Sequence, residues 1–507
     1  MDPDTAKTTA AERPTLSRRQ TTLIVASLML TLALAALDST IVGTALPTIV
    51  ADLGGVSLYS WLIAAYLLTS TTTVPLYGRL ADMVGRKPVL MFGIILFLTG
   101  SVLCGLAQSM VQLILFRAVQ GLGAGAIQPI IFTIVGDLFP VEQRARLQGF
   151  FGGVWGTASI IGPSLGGLII AVASWHWVFY INVPLGLAAM LMLARNYHEQ
   201  IVRRRHAVDF LGAALLTAGI STLLLALENS GGPALYLAAV GLLGGFIFVE
   251  TRTPEPIVPL GLLSKPLIWV GYLVSTLSGA VQFGTTGFIP LFVQGAQGGS
   301  PLSVGAVLAP MSIGWPIGSV ASGRLILRLG YRPVLLAGLS ATVLGTAALQ
   351  LFQPATPVPL VMLNVALVGL GMGLTSTPVL ISIQNAVGWQ QRGVATALNQ
   401  FSRTIGGSLG VALMGAALNL QAQTRLAGQA SGPGNDPATV VRNLLDPAAR
   451  VLYAGQLGVL QQALAEALRV VFILPLAFAG FALVLGVLAF PAGSVRDHMA
   501  RRPAAGD

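Results

Sequence analysis

Charge is scarce in this chain: only 9% of its 507 residues are Asp, Glu, Lys or Arg, against roughly 25% in soluble globular domains. Apolar residues make up 54%, and the mean hydropathy is +0.79. A water-soluble surface cannot be built from that stock. The sequence is that of an all-α polytopic membrane protein, whose helices satisfy their own backbone groups in lipid. Cysteine is nearly absent as well. The single Cys104 excludes an intrachain disulfide and lies in an apolar run, where structural filling is its expected role. The four histidines, His176, His198, His206 and His498, fall at span ends or in polar segments and form no metal-ligating cluster. Nucleotide loops are missing too: GLGAG at 121–125 and GLGMG at 369–373 follow no predicted strand. Gly162-Pro-Ser-Leu-Gly166 has the spacing of a nucleophile elbow, but it sits in a glycine-rich span without the strand-to-helix turn that chemistry needs. The sequence therefore predicts neither an enzyme nor an ATP-driven pump, and neither a cofactor nor a metal.

Long apolar runs are what the chain has instead. They predict fourteen spans, near 22–46, 58–78, 88–108, 112–136, 148–172, 177–194, 209–228, 233–250, 267–294, 302–323, 333–352, 358–382, 396–420 and 467–490. Glycine, at 60 residues, supplies the small side chains that close helix packing in lipid requires. The net charge of +10 would suggest nucleic acid in a soluble chain, but its distribution gives another explanation. With the N-terminus inside, Arg425, Arg442, Arg450 and Arg469 fall in outer segments and Arg117 falls inside a span. Every other Lys and Arg falls on the inner side. That bias predicts both termini in the cytoplasm, with no nucleic-acid partner expected. Met1–Arg19 is polar and the next run is of full spanning length, so no cleavable signal is expected.

A weak internal repeat organises the spans. Gly78-Arg-Leu-Ala-Asp-Met-Val-Gly-Arg-Lys-Pro88 follows span two, and Gly323-Arg-Leu-Ile-Leu-Arg-Leu-Gly-Tyr-Arg-Pro333 follows span ten. Matching spans one and nine gives two halves of six helices, with spans seven and eight as an inserted hairpin. The expected division is a cytoplasmic tail at 1–20, an N-terminal bundle at 21–195, a basic cytoplasmic linker at 196–208, the hairpin at 209–250, a C-terminal bundle at 251–490 and a cytoplasmic tail at 491–507. Arg203–Arg205 in the linker either touch anionic lipid or serve only as a topology anchor. The long outer loop at 421–466 either places helices on the outer interface or is a plain surface connector.

Ionisable groups inside spans narrow the functional site. The run Thr21–Pro47 carries one, Asp38, and a charged carboxylate there costs about 2.5–3.5 kcal/mol. Arg117 enters span four from the outer side to a similar depth. It keeps its charge and needs a partner, for which Asp38 and Gln120 are the natural candidates. Two readings stand. The pair is either a proton site, which Arg117 modulates as the two groups approach and part, or a permanent structural ion pair. Uncharged polar and aromatic side chains within spans mark the route of a substrate: Trp61, Tyr66, Gln120, Gln128, Gln282, Gln294, Asn364, Gln384 and Asn399. Any one of them can instead bond helix to helix. With one main acid, hydrophobic, neutral or monocationic compounds and lipids all remain open.

GRLADMVGRKPVL at 78–90 resembles the inner-loop signature of the major facilitator superfamily. LDSTIVGTALPTI at 37–49 and WHWVFYINVPLG at 175–186 resemble motifs of its fourteen-helix drug:proton antiporters. RAVQGLGAG at 117–125 is similar to the superfamily's buried-arginine motif, and GPSLGG at 162–167 to its antiporter motif. The second half is carried by span count, by the degenerate turn and by GVATALNQFSRTIGGSLG at 393–410. The resemblance implies the major-facilitator fold and an inner latch of Gly78, Asp82, Gly85 and Arg86, with Arg403 as a candidate partner across the halves. By charge and position, Asp82 is suited to neutralise a helix N-terminus of the other half. Leu327 stands at its place in the second copy, so gating is expected to be asymmetric. Gly162, Pro163, Gly166 and Gly167 are expected to seal the outer leak path of an exchanger.

The resemblance further implies a monomeric secondary active transporter that exports hydrophobic or amphipathic drugs by proton antiport with alternating access. Its partners would be the substrate, protons and membrane lipid. Rival readings are an exporter of lipids or of a dedicated metabolite, for which the outer loop would matter, and a non-transporting receptor or channel.

Overall fold

A computed structural model describes residues 17–53, 58–199, 209–228, 232–253, 256, 258–426, 437–445, 449–453 and 455–491. The first half comprises α1 (Arg18–Leu53), α2 (Tyr59–Val84), α3 (Arg86–Gly105), α4 (Met110–Leu138), α5 (Val141–Val172), the short α6 (Trp177–Tyr180) and α7 (Asn182–Asn196). A pair follows, α8 (Phe210–Glu228) and α9 (Pro233–Glu250). The rest comprises the short α10 (Leu260–Leu263), α11 (Pro266–Leu291), α12 (Pro301–Leu329), α13 (Tyr331–Ala348), α14 (Val358–Ala386), α15 (Arg392–Leu426), α16 (Pro437–Leu445), α17 (Leu457–Val471) and α18 (Ile473–Leu488).

Among the described residues, eleven helices are long and apolar enough to cross a membrane. The helices α2 and α5 have the length, at 26 and 32 residues, but are more polar. The first carries a Thr/Ser run at 69–73 and the second opens with Glu142, Arg144 and Arg146. Between α8 and α9, Leu216, Ile220 and Phe246 form a small core that packs on Phe401 and Ile405 of α15.

Both copies of the repeated turn use glycine in the same way. Gly85 joins α2 to α3 with φ 103° and ψ 156°, and Gly330 joins α12 to α13 with φ 85° and ψ 178°. Only glycine adopts that backbone region readily. The first glycine of each copy touches the opposite half. A Cβ at Gly78 would lie 2.3 Å from Cβ of Ala397 on α15, and one at Gly323 2.3 Å from Cβ of Ala145 on α5. Thus α2 crosses onto α15 and α12 crosses onto α5, each through a missing side chain.

The outer loop differs from its sequence reading. Instead of ending at 420, α15 runs to Leu426, and the last apolar helical stretch begins at Leu457 rather than 467, reaching Leu488. The helices α16 and α17 turn apolar side chains into the bundle. Val440, Leu444, Leu460 and Leu464 are fully buried with Phe288, Phe292 and Met414, because the outer end of the bundle covers their apolar faces. Arg450 fastens the loop by donating to the carbonyls of Gln294, Gly298 and Gly299 at 2.9, 2.7 and 3.1 Å. Residues 1–16, 427–436, 446–448 and 492–507 lie outside the described residues, as does 200–208 with Arg203–Arg205.

Replacing Gly85 by alanine should cost about 1–3 kcal/mol, the strain of a side chain in that region. Thermal unfolding in detergent reads this as a lower midpoint than that of Gly43→Ala, where nothing lies within 4 Å. Equal midpoints would contradict the strain argument.

Candidate functional site

Asp38 is completely buried and Arg117 is 3% exposed. Nη1 of Arg117 donates to Oδ2 of Asp38 at 2.7 Å and to Oε1 of Gln120 at 2.7 Å. Nε2 of Gln120 donates to Oδ1 of Asp38 at 2.8 Å, and Nδ2 of Asn182 donates to the same oxygen at 2.9 Å. Ser101 accepts from Asn182 at 2.9 Å, which orients that amide. The Arg117 guanidinium lies 4.1 Å over the Tyr66 ring. Five helices, α1, α2, α3, α4 and α7, thus converge on one carboxylate. Arg117 and Gln120 reach it together because residues three apart share a helix face.

The structure brings Asp38, Arg117 and Gln120 together, but Gln120 encloses the carboxylate rather than lining a substrate route. Asn182 and Ser101 were missed by sequence reasoning. The signal for Asn182 was present, since it opens an otherwise apolar helix inside WHWVFYINVPLG.

Directly after Asp38 on α1, the glycine helix packs. A Cβ at Gly162 would lie 2.0 Å from Oγ1 of Thr40, and one at Gly166 2.2 Å from Oγ1 of Thr44. The Thr40 hydroxyl donates to the Ala158 carbonyl at 3.1 Å across the same contact. Gly167 faces open space, and the side chain of Pro163 lies outside the described residues.

At the Gly78–Pro88 turn the halves are locked. Oδ1 and Oδ2 of Asp82 accept from the backbone N–H groups of Gly393 and Val394 at 2.9 and 2.8 Å, at the N-terminus of α15. A carboxylate at a helix N-terminus meets unpaired donors and the positive end of the helix dipole. Arg86 is fully buried, donates to Asp82 at 2.9 Å and to the Trp389 carbonyl at 2.7 Å, and lies 3.8 Å over the Trp389 ring. Its Nε is 3.0 Å from Asp137, which also pairs with Arg392 at 2.5 Å. Glu199 accepts from the N–H groups of Arg86 and Lys87 at 2.9 and 2.8 Å. Asp137, Glu199 and Arg392 were not anticipated in this role. At the corresponding seam through the second copy, Arg144 of α5 donates to Oδ1 of Asn385 on α14 at 3.1 Å, and Leu327, at the place of Asp82, is exposed.

Arg403 is a correction to the sequence reading. It is not at the latch, because α15 presents its N-terminal backbone there and carries Arg403 about three turns deeper. It lines a central cavity of about 410 Å³ between the halves. Tyr66, Gln128, Gln282 and Asn399 line the same cavity. Trp61 and Gln294 do not. Asn364 and Gln384 are helix-bonding groups instead, donating to the Gly345 carbonyl at 2.8 Å and the Phe132 carbonyl at 3.1 Å. Tyr66 lines the cavity and covers Arg117, so the ion pair lies behind its ring. A second cavity, of about 810 Å³, opens between α1, α5 and α12 and is apolar apart from Thr157 and the exposed Arg324.

Two outcomes follow. Removing one member of a buried ion pair costs about 3–5 kcal/mol, so Arg117→Gln should lower thermal stability sharply. Adding Asp38→Asn should recover most of the loss, and equal loss in the single and double variants would contradict a stabilising pair. At the latch, Asp82→Asn weakens charge-assisted bonds worth about 1.5–3 kcal/mol each. Spin labels at the exposed positions Val84 and Gln390 should then report longer distances than in the unaltered latch. An unchanged distribution would mean that Asp82 does not hold the seam.

Residues 28–411 match the Major Facilitator Superfamily. The chain is 39% identical over 407 residues to the multidrug transporter protein MdtP of Bacillus subtilis (strain 168), covering 78% of this chain and 75% of that one. It is 36% identical over 443 residues to multidrug resistance protein 3 of the same organism, covering 85% and 86%. Its fold is similar to the crystal structure of the human organic anion transporter MFSD10 (TETRAN), with TM-score 0.60 and 17% identity over 90% of this chain and 99% of that one. By sequence, apolar helices and fold, the chain belongs to the Major Facilitator Superfamily and is a multi-pass membrane transporter.

Proposed function

We propose that the protein exports hydrophobic or amphipathic compounds across the cytoplasmic membrane in exchange for protons. The single observation that carries this reading is Asp38, an acid with no exposure, held by Arg117 behind the wall of the central cavity. An opposite charge favours the ionised carboxylate, and burial favours the protonated one. Movement of α4 against α1 exchanges the first condition for the second and changes proton affinity without a new chemical group. The locked inner seam and the cavity above it fit one state of an alternating-access cycle, whose other state releases Asp82 from α15. The multidrug names of the two Bacillus relatives agree with a hydrophobic substrate class.

In this reading α2, α5 and α8 join the eleven apolar helices to make fourteen spans. They form bundles over 21–195 and 251–490 with the hairpin 209–250 between them, and both termini are cytoplasmic. The proton gradient is the only coupling agent, and the protein works as a monomer.

The test is dye uptake into inside-out proteoliposomes under an imposed pH gradient. Wild-type flux should follow the gradient, and Asp38→Asn should fall to the level of empty vesicles. Equal gradient-driven flux in both would move the proton site elsewhere.

A lipid exporter is the second reading, favoured by the apolar cavity that opens sideways between α1, α5 and α12. Gly153 lines it, and a Cβ there meets nothing within 4 Å, so Gly153→Phe would project a ring into it. Loss of labelled-phospholipid flux with dye flux intact would favour lipid export. Loss of neither would exclude this side opening as a route.

A further inference from the structure

The central cavity carries an unanswered positive charge. Arg403 projects into it from α15, where the helix lies so close to α11 that a Cβ at Gly279 would be 2.0 Å from the Arg403 carbonyl. Its Nε is buried without a hydrogen-bond partner. Its one described contact is with the Trp315 ring, 5.7 Å from the guanidinium to the ring centre. No Asp or Glu lines the cavity, and among the described residues no carboxylate lies within ion-pairing distance of Arg403. Asp38, the nearest acid in function, is fully occupied by Arg117, Gln120 and Asn182.

A guanidinium does not lose its proton to escape this situation, as a lysine ammonium can. A charge facing a small space whose walls are apolar or carry only uncharged polar groups attracts its opposite. The planar fork of arginine fits a carboxylate best, through two parallel bonds. Elsewhere in the lining, Oε1 of Gln282 is buried and unpartnered, an acceptor for a donor on the ligand's body. Phe132, Phe283, Trp315 and Met372 supply apolar and aromatic walls, and about 410 Å³ is the size of a drug-like ligand site.

We propose that Arg403 is the anion-recognition point of the central cavity and that the substrates of the transporter are amphipathic organic anions, a carboxylate on an apolar body. The proposal rests on the reading that this cavity is the transport site. It turns the open substrate class toward anions and away from cations, which the uncompensated guanidinium repels.

Binding can be read by energy transfer from Trp155 and Trp315, both of which line the cavity. The probes are dansyl-labelled undecanoate, its methyl ester and the matching trimethylammonium compound, added to the full chain in detergent. Wild type should bind the carboxylate about tenfold or more tighter than the ester, the effect of one charge-assisted pair, and the ammonium compound least. In Arg403→Gln the carboxylate should fall to the affinity of the ester, whose own binding stays unchanged and shows the cavity intact. Arg403→Met, which keeps the apolar stem, replaces that variant if it no longer binds the ester. Equal binding of carboxylate and ester by wild type, or a preference that survives both substitutions, would overturn the proposal. Gradient-driven flux of the ester without any carboxylate preference would sink the anion site and leave proton-coupled export standing. An Arg403-dependent preference with no flux of either probe would do the reverse.

Discussion

A carboxylate removed from water must be given charge and donors by the protein, and the first half of the chain is arranged around that demand. Asp38 receives bonds from a guanidinium and two side-chain amides, supplied by α4 and α7. Ser101 of α3 and Tyr66 of α2 hold those donors in turn. Because the site has contributions from five helices, any motion that separates α1 from α4 changes the environment of one acid and the packing of a half-molecule together. The glycines at 162 and 166 set α5 on Thr40 and Thr44, two and six residues past Asp38, so α5, which lines both cavities, rests on the helix bearing the acid.

The two halves meet by a rule that both obey: the second helix of one crosses the fifth of the other at a glycine. The chemistry of the two seams nevertheless differs. On one side lie Asp82, Arg86, Asp137, Glu199 and Arg392, nearly all buried, with backbone N–H groups of α15 as donors and the Trp389 carbonyl just before that helix as acceptor. On the other lie Arg144, Asn385 and an exposed Leu327. Buried charge pairs are all-or-none elements, since a half-broken one leaves an uncompensated ion.

Much of this was legible in the sequence, for physical reasons. A span can be seen because lipid tolerates few charges, so Asp38 and Arg117 stood out against their surroundings and their similar depth paired them. Asp82 was readable because a glycine-framed inner turn has few uses for an acid. What the sequence concealed were groups whose role depends on a neighbour far along the chain. Asn182 and Ser101 are common polar residues until α1 brings Asp38 beside them. Asp137 and Glu199 resemble ordinary inner-end charges until Arg86 is inserted between them. Arg403 was counted as an inner anchor because it stands near the start of its span, and only the long extension of α15 below it shows how deep it lies. The helices of the long loop were left open between an interfacial position and a plain connector. Part of their apolar spacing packs on Phe288 and Phe292, far along the chain, which spacing alone could not show.

Proton exchange at Asp38 is the central claim, and it can be measured without a membrane gradient. The solubilised protein is mixed with a transported compound in weakly buffered solution containing a pH indicator, near neutral pH. Binding of substrate to a protonated transporter should expel protons from the wild type, and Asp38→Asn, with no proton to give, should release none while still binding the compound. Equal release from both proteins would show that the exchanged proton resides elsewhere, and Asp38 would then be the structural half of an ion pair and nothing more.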